Sequence, residues 1–360
     1  MFRIYFFIVA CVWLFSPVTY AQRAANKNAV NQSAVNKGWE HISKECVEAY
    51  LSFLASDALE GREAGKQGGW VAAEYLKAIL KESGVKPFYD TYFQPFEAYS
   101  PAREKRVDFQ VNPDSIAKYK QVPAYRRLNL RNVAGYIEGQ KKDEYVVIGA
   151  HYDHVGVDEL LVGDQIYNGA DDNASSVAVV LQIAKAYVTS GEKPLRSIIF
   201  AFWDGEEVNY LGSEYFVANF AQLSNIKAYI NLDMVGREGL LPIFYPEFII
   251  PEKTVENNAE EKQFHLLYTE ELTKLSEQLG KDIQKNQLNI EPKPGMLVHK
   301  SRGSDNLSFS LREIPVLWFF TGLHSDYHTP NDEVERIDLD KLTNIAKAAY
   351  LSLWNLANKE

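Results

Sequence analysis

The sequence predicts an α/β protein: a three-layer sandwich in which a mixed, mostly parallel sheet is covered by helices on both faces. Two observations predict it. Four short, nearly continuous apolar runs, Tyr145–Ala150, Ser197–Trp203, Ala228–Leu232 and Val316–Phe320, read as strands buried on both sides, as the strands of enclosed parallel sheets do. Segments with helical spacing alternate with them, the order of an α/β domain rather than of separate sheets and helices.

The elements follow in order. Arg3 and the apolar run Ile4–Phe15, broken by Pro17 and followed by Thr19-Tyr20-Ala21, read as a secretory signal peptide over residues 1–21, cleaved before Gln22. The expected location is therefore secreted or periplasmic. A lipoprotein signal at Ile8-Val9-Ala10-Cys11 is the weaker reading, because the apolar run continues past Cys11. Residues 22–37, rich in Asn, Ala and Gln, read as a flexible tail, and 38–360 as a single catalytic domain. Apolar residues recur at helical spacing from Ile42 to Ala55. A loop with Gly61, Gly65, Gly68 and Gly69 precedes a helix from Trp70 to Ser83, closed by Gly84.

Residues 88–130 alternate aromatic and polar positions and carry Pro95, Pro101, Pro113 and Pro123, so they read as strand and loop at a sheet edge. Asp172–Tyr187, Leu211–Phe220, Leu266–Leu279 and Leu339–Leu356 read as helices. The remainder of 237–300, interrupted by Pro242, Pro246, Pro251, Pro292 and Pro294, reads as loops forming a flap.

The chain has 360 residues, 46% hydrophobic and 24% charged, enough to bury a large core. A net charge of −10 argues against nucleic acid as the main partner. No stretch beyond the leader is apolar enough for stable membrane insertion. Signal cleavage removes Cys11 and leaves Cys46 alone, so no intramolecular disulfide is expected and Cys46 reads as a small buried hydrophobe.

The chemistry lies at the strand ends, where open α/β sheets bind ligands. His151, Glu206, Glu207 and Asp233 each sit at or just after the end of an apolar run, and His328 a few residues beyond another. In His151-x-Asp153 the carboxylate suits the role of orienting a metal-binding imidazole. Asp171-Asp172 opens a predicted helix, where the dipole favours negative charge. In Glu206-Glu207 the neighbouring side chains diverge, so one can bind metal while the other faces substrate.

The motifs resemble, in order from about Tyr50 to Leu356, the co-catalytic dizinc exopeptidases, a family that includes bacterial leucyl aminopeptidases, glutamate carboxypeptidase II and glutaminyl cyclases. They are Leu54-Ala55-Ser56-Asp57 with Gly61-Arg62, Asn132-Val133-Ala134-Gly135, Gly149-Ala150-His151-Tyr152-Asp153-His154, Asn168-Gly169-Ala170-Asp171-Asp172-Asn173, Gly205-Glu206-Glu207, Leu211-Gly212-Ser213, Asn231-Leu232-Asp233-Met234, Ser304-Asp305 and Tyr327-His328-Thr329-Pro330. The resemblance implies a phosphorylase/hydrolase-like zinc exopeptidase fold and two zinc ions per chain. It implies that Asp171 bridges both ions, with a cis Asp171-Asp172 peptide. His151 and Asp233 would hold one zinc, and Glu207 and His328 the other. Asp153 would orient His151, and Glu206 would be the general base.

Two positions depart from the family: Ser176 stands where glycine is common, and Asn306 follows Asp305 where histidine is common. His154, His299 and His324 read as surface or loop residues rather than substrate contacts. The expected activity is that of a zinc-dependent metallo-aminopeptidase acting on peptide substrates. The alternatives are a one-zinc glutaminyl cyclase, or a carboxypeptidase-type relative using Arg237, Lys300 or Arg302 to hold a substrate carboxylate. A non-catalytic binding protein is disfavoured by the intact Glu206.

Overall fold

The computed structural model describes residues 32–102, 108–240, 248–249, 262–297 and 303–359, with 248–249 as backbone alone. The leader 1–21, Cys11, His299, Lys300 and Arg302 lie outside them. In chain order the elements are α1 (32–40), α2 (Lys44–Leu54), α3 (Gln67–Glu82), β1 (Lys86–Pro87), β2 (Phe93–Pro101), α4 (Pro113–Tyr119), β3 (Tyr125–Ile137), β4 (Lys141–His151), α5 (Ser176–Ser190), β5 (Arg196–Trp203), α6 (Leu211–Asn219), β6 (Ile226–Leu232), β7 (Phe248–Ile249), β8 (Gln263–Tyr268), α7 (Thr273–Lys285), β9 (Glu291–Leu297), α8 (Asn306–Ser310), β10 (Val316–Phe320) and α9 (Leu339–Asn358).

The four apolar runs form the middle of one sheet, ordered β1-β3-β5-β4-β6-β10-β8-β9-β7, with β2 on the outer side of β3. Parallel pairing is confined to β5-β4-β6-β10 and to β8 with β9; the other pairs are antiparallel. The sheet is mixed as predicted, and parallel where it is buried on both faces. Val146, Ile148 and Ala150 of β4 pack with α2, α3, α5, α7 and α9, whereas Val147 points to the opposite face, with Phe216 and Val217 of α6 and Phe309 of α8. That alternation makes the three layers. Almost every residue of α5 is buried, because α5 is enclosed between the sheet and the outer helices, which explains its weak amphipathicity.

Several boundaries moved. Residues 32–37, read as tail, belong to α1, which docks on α9 through the Tyr350 hydroxyl donating to the Val35 carbonyl (3.3 Å). The start of the predicted helix Leu266–Leu279 is instead β8, paired with β10; a short apolar run does not distinguish a strand from a buried helix. Cys46 is half-buried on α2 rather than fully buried. Gly84 closes α3 as expected, at φ +82° with Val85 N–H donating to Leu80. Among the described residues no helix is long and apolar enough to cross a membrane.

Candidate metal centre

Four adjacent parallel strands deliver the site. β4 ends on His151, Asp233 follows β6, Glu206 and Glu207 follow β5, and His328 lies in the turn after β10. His151 Nε2 lies 3.3 Å from Asp172 Oδ1, 3.5 Å from Asp233 Oδ1 and 4.0 Å from Glu206 Oε2. On the other side, His328 Nε2 is 3.1 Å from Asp172 Oδ2 and 3.1 Å from Glu207 Oε2.

The carboxylate that lies between the two histidines is therefore Asp172, not Asp171. The Asp171 carboxylate turns away, accepting from Gly236 N–H (2.6 Å) and the Ser175 hydroxyl (3.0 Å), with His324 Nε2 at 3.4 Å. The cis peptide likewise joins Asp172 to Asn173, one bond later than expected. The predicted helix start at Asp172 is displaced too. Residues Ala170–Ser175 form an irregular turn, and regular helix begins at Ser176, so neither acid lies in the first turn of α5. Tertiary partners hold this shape. The Asp332 carboxylate accepts the N–H groups of Asp171 and Asp172 (3.0 Å each to Oδ2). The Asn173 amide donates to Leu232 O (3.2 Å) and accepts Met234 N–H (3.1 Å), tying the turn to the end of β6.

Asp153 does more than face His151. Its carboxylate accepts the backbone N–H groups of Glu206 (3.0 Å) and Glu207 (3.3 Å), while Oδ1 stands 3.7 Å from His151 Nδ1. The nearer acceptor for His151 Nδ1 is the Asp153 carbonyl at 3.2 Å. Asp153 thus positions the Glu206-Glu207 pair at least as directly as it orients the imidazole.

His154 and His324 are not surface residues. His154 is buried, with Nδ1 2.8 Å from Glu207 Oε1 and 3.7 Å from Asp172 Oδ2. Its ring fits only because residue 169 is glycine, at φ +54°, where a Cβ would come within 2.5 Å of the imidazole. His324 is 3% exposed beside Asp171 and Asp332. Strand periodicity ends at His151, so nothing in the sequence said which way His154 faces. Arg237, considered for a substrate carboxylate, pairs with Asp326 at 2.8 Å.

Among the described residues, three overlapping groups bring ligand atoms within 4.8 Å of one another: His154, Asp172, Glu207 and His328; His151, Asp172 and Asp233; and His151, Glu206 and Glu207. Crowded, largely buried carboxylates need a compensating cation, and imidazole nitrogen with carboxylate oxygen is a donor set that zinc accepts. The electrostatics agree. Burial raises Glu206 well above the usual carboxylate range, offset by His151 and reinforced by Glu207, Asp233 and Asp305. Burial likewise pushes Asp305 up to about 7. Burial opposes charge on His328, but Asp172 and Glu207 override it and lift the imidazole to about 10. His151, despite its burial, is also raised well above its ordinary value, by Glu206, Asp233, Asp153 and Asp172.

The model of peptidase family M28 matches residues 132–352. The chain belongs to that family. A glutamate carboxypeptidase 2 homologue of Caenorhabditis elegans is 29% identical over 245 residues, covering 61% of this chain; the chain spans 29% of that relative's length. A zinc aminopeptidase from Bacillus subtilis superimposes with a TM-score of 0.61 at 14% identity, over 88% of this chain and 96% of the other. The Bacteroides thetaiotaomicron glutaminyl cyclase does so with a TM-score of 0.60 at 18% identity, over 87% and 98%. At those identities the two structures show a shared fold. The M28 match begins at residue 132, after Arg62, whose guanidinium the fold nevertheless places against the site loops.

Proposed function

We propose that this M28 peptidase is a zinc-dependent aminopeptidase that removes N-terminal residues from peptides with two metal ions per chain. One observation carries the two-metal reading: the two oxygens of Asp172 face different histidines, His151 at 3.3 Å and His328 at 3.1 Å. His151 and Asp233 would hold one ion, Glu207 and His328 the other, with Asp172 shared and His154 beside Glu207. Bound zinc supplies Lewis acidity and a water of lowered pKa. Glu206, held by Asp153 through its backbone N–H, takes the proton of the attacking water and passes it to the leaving amine. The acidic character of the site around Glu206 and Asp233 suits an α-ammonium group, and Arg237, engaged by Asp326, is unsuited to hold a substrate carboxylate.

The test is a substrate panel run with zinc-loaded and chelated protein: aminoacyl-p-nitroanilides, N-blocked peptides and peptides beginning with glutamine. Release from the unblocked anilides with about two zinc ions per chain is expected. Cyclisation of N-terminal glutamine with one ion would replace this reading by the cyclase, and cleavage of N-blocked peptides at the carboxyl end by the carboxypeptidase.

Metal binding should also expel protons. In the metal-free chain His328 is lifted to about 10, so it carries a proton at pH 7. A metal needs a neutral imidazole, so zinc uptake at pH 7 should release about one proton from His328. The sign is consistent for stability. The contribution of protonated His328 is complete below its unfolded value near 6.5 and is lost as pH rises through about 10, while zinc affinity grows over that range. Calorimetric titration in buffers of different ionisation heat measures the release; a value near zero would contradict it.

A further inference from the structure

Arg62 is 1% exposed and, among the described residues, has no carboxylate at ion-pair distance, yet its guanidinium spends every N–H group on backbone carbonyls. Nε donates to Tyr152 O (2.9 Å), Nη1 to Leu54 O (2.5 Å) and Asn168 O (2.6 Å), and Nη2 to Gly169 O (2.9 Å) and, at 3.5 Å, to Asp172 O. Those carbonyls belong to the end of α2 and to the two segments that carry His151, Asp153 and Asp172. The turn leading to it is shaped for this purpose. Glu60, Gly61 and Arg62 all have positive φ, and a Cβ on Gly61 would come within 2.2 Å of the Gly156 carbonyl. Arg62 O in turn accepts His154 N–H (3.1 Å). The loop 168–172 is thus gripped twice: its carbonyls by Arg62 and its N–H groups by Asp332.

We propose that Arg62 is a positioning residue that sets the His151–Asp153 and Asn168–Asp172 segments at metal-binding distance before any metal arrives. The inference rests on the reading of the site as a metal centre. The fork geometry of guanidinium is required, because lysine offers a single nitrogen and cannot reach carbonyls from three directions. The permanent charge also lies near Asp172, Asp332, Asp153 and Glu207, so it offsets the carboxylate crowd in the metal-free chain.

The experiment compares the wild-type chain with Arg62→Lys in three measurements: zinc affinity by competition with a chromophoric chelator, the visible spectrum of the cobalt-substituted protein, and amide hydrogen exchange of the metal-free protein. The variant should bind zinc about 10- to 100-fold more weakly, the scale for losing a group that orients ligands, and show an altered cobalt spectrum. Amides of residues 170–174 should be protected in the metal-free wild type and lose that protection in the variant. A folded variant with wild-type affinity and spectrum would overturn the proposal. If the variant does not fold, exchange in the wild type decides. Protection within about tenfold of the zinc-loaded state supports it, and rapid exchange that zinc alone suppresses overturns it. A wild-type chain that binds no divalent metal sinks the metal-centre reading and this inference with it, whereas equal binding by both proteins sinks this inference alone.

Discussion

Glu206→Gln should lower peptide hydrolysis by about 10²- to 10⁴-fold, the usual worth of a positioned general base, while leaving the zinc content unchanged. Gln keeps the shape of the side chain and the backbone N–H that Asp153 holds at 3.0 Å. It removes only the ability to take and return a proton. The proposed metal donors His151, Asp172, Asp233, Glu207 and His328 are untouched, and Glu206 Oε2 stands 4.0 Å from His151 Nε2. The loss should fall on kcat rather than KM, because the proton transfer occurs after substrate is bound. Turnover close to the wild-type rate would remove Glu206 from the mechanism, and a matching loss of zinc would make it a ligand instead.

Exchanging the two adjacent acids should give opposite results. Asp172→Asn leaves one side of the shared carboxylate unable to serve a metal, so zinc affinity should fall by more than about 100-fold, the upper cost of losing merely an outer partner, and activity should fall with it. Asp171→Asn should retain both zinc ions. Its cost should appear in stability, about 1–3 kcal/mol, because Asp171 is fully buried and accepts from Gly236 and Ser175. Metal analysis and urea denaturation of the two variants separate the cases. Loss of zinc from the Asp171 variant with retention in the Asp172 variant would reverse the assignment.

That pair marks the boundary of what can be read from a linear sequence. The central strands are legible because a strand buried on both faces is apolar at nearly every position, and the runs at 145–150, 197–203, 228–232 and 316–320 are, Ser197 and Asn231 apart. The outer part was less so. Short apolar segments such as Leu266–Tyr268 suit strand or helix equally, and only pairing with β10 decides. The tail reading of 32–37 failed for a similar reason, since the helix there owes its place to docking on α9.

His151, Glu206, Glu207, Asp233 and His328, legible as candidates from their position after strands, come together at one place in the fold. The direction of His154 and the parts of Arg62 and Asp332 are not legible in the sequence, because they depend on contacts between distant segments: His154 with Glu207, Arg62 with residues 152 and 168–172, Asp332 with residues 171 and 172.

The sequence alone determined the layered α/β architecture and the chemical type of the site, since periodicity reports burial and strand ends are where such sheets place their ligands. The tertiary structure alone decided which of Asp171 and Asp172 is shared. Adjacent residues of one type are indistinguishable by composition and spacing, and which one turns inward depends on the hydrogen bonds that Asp332, Asn173, Gly236 and Arg62 impose on their backbone and side chains.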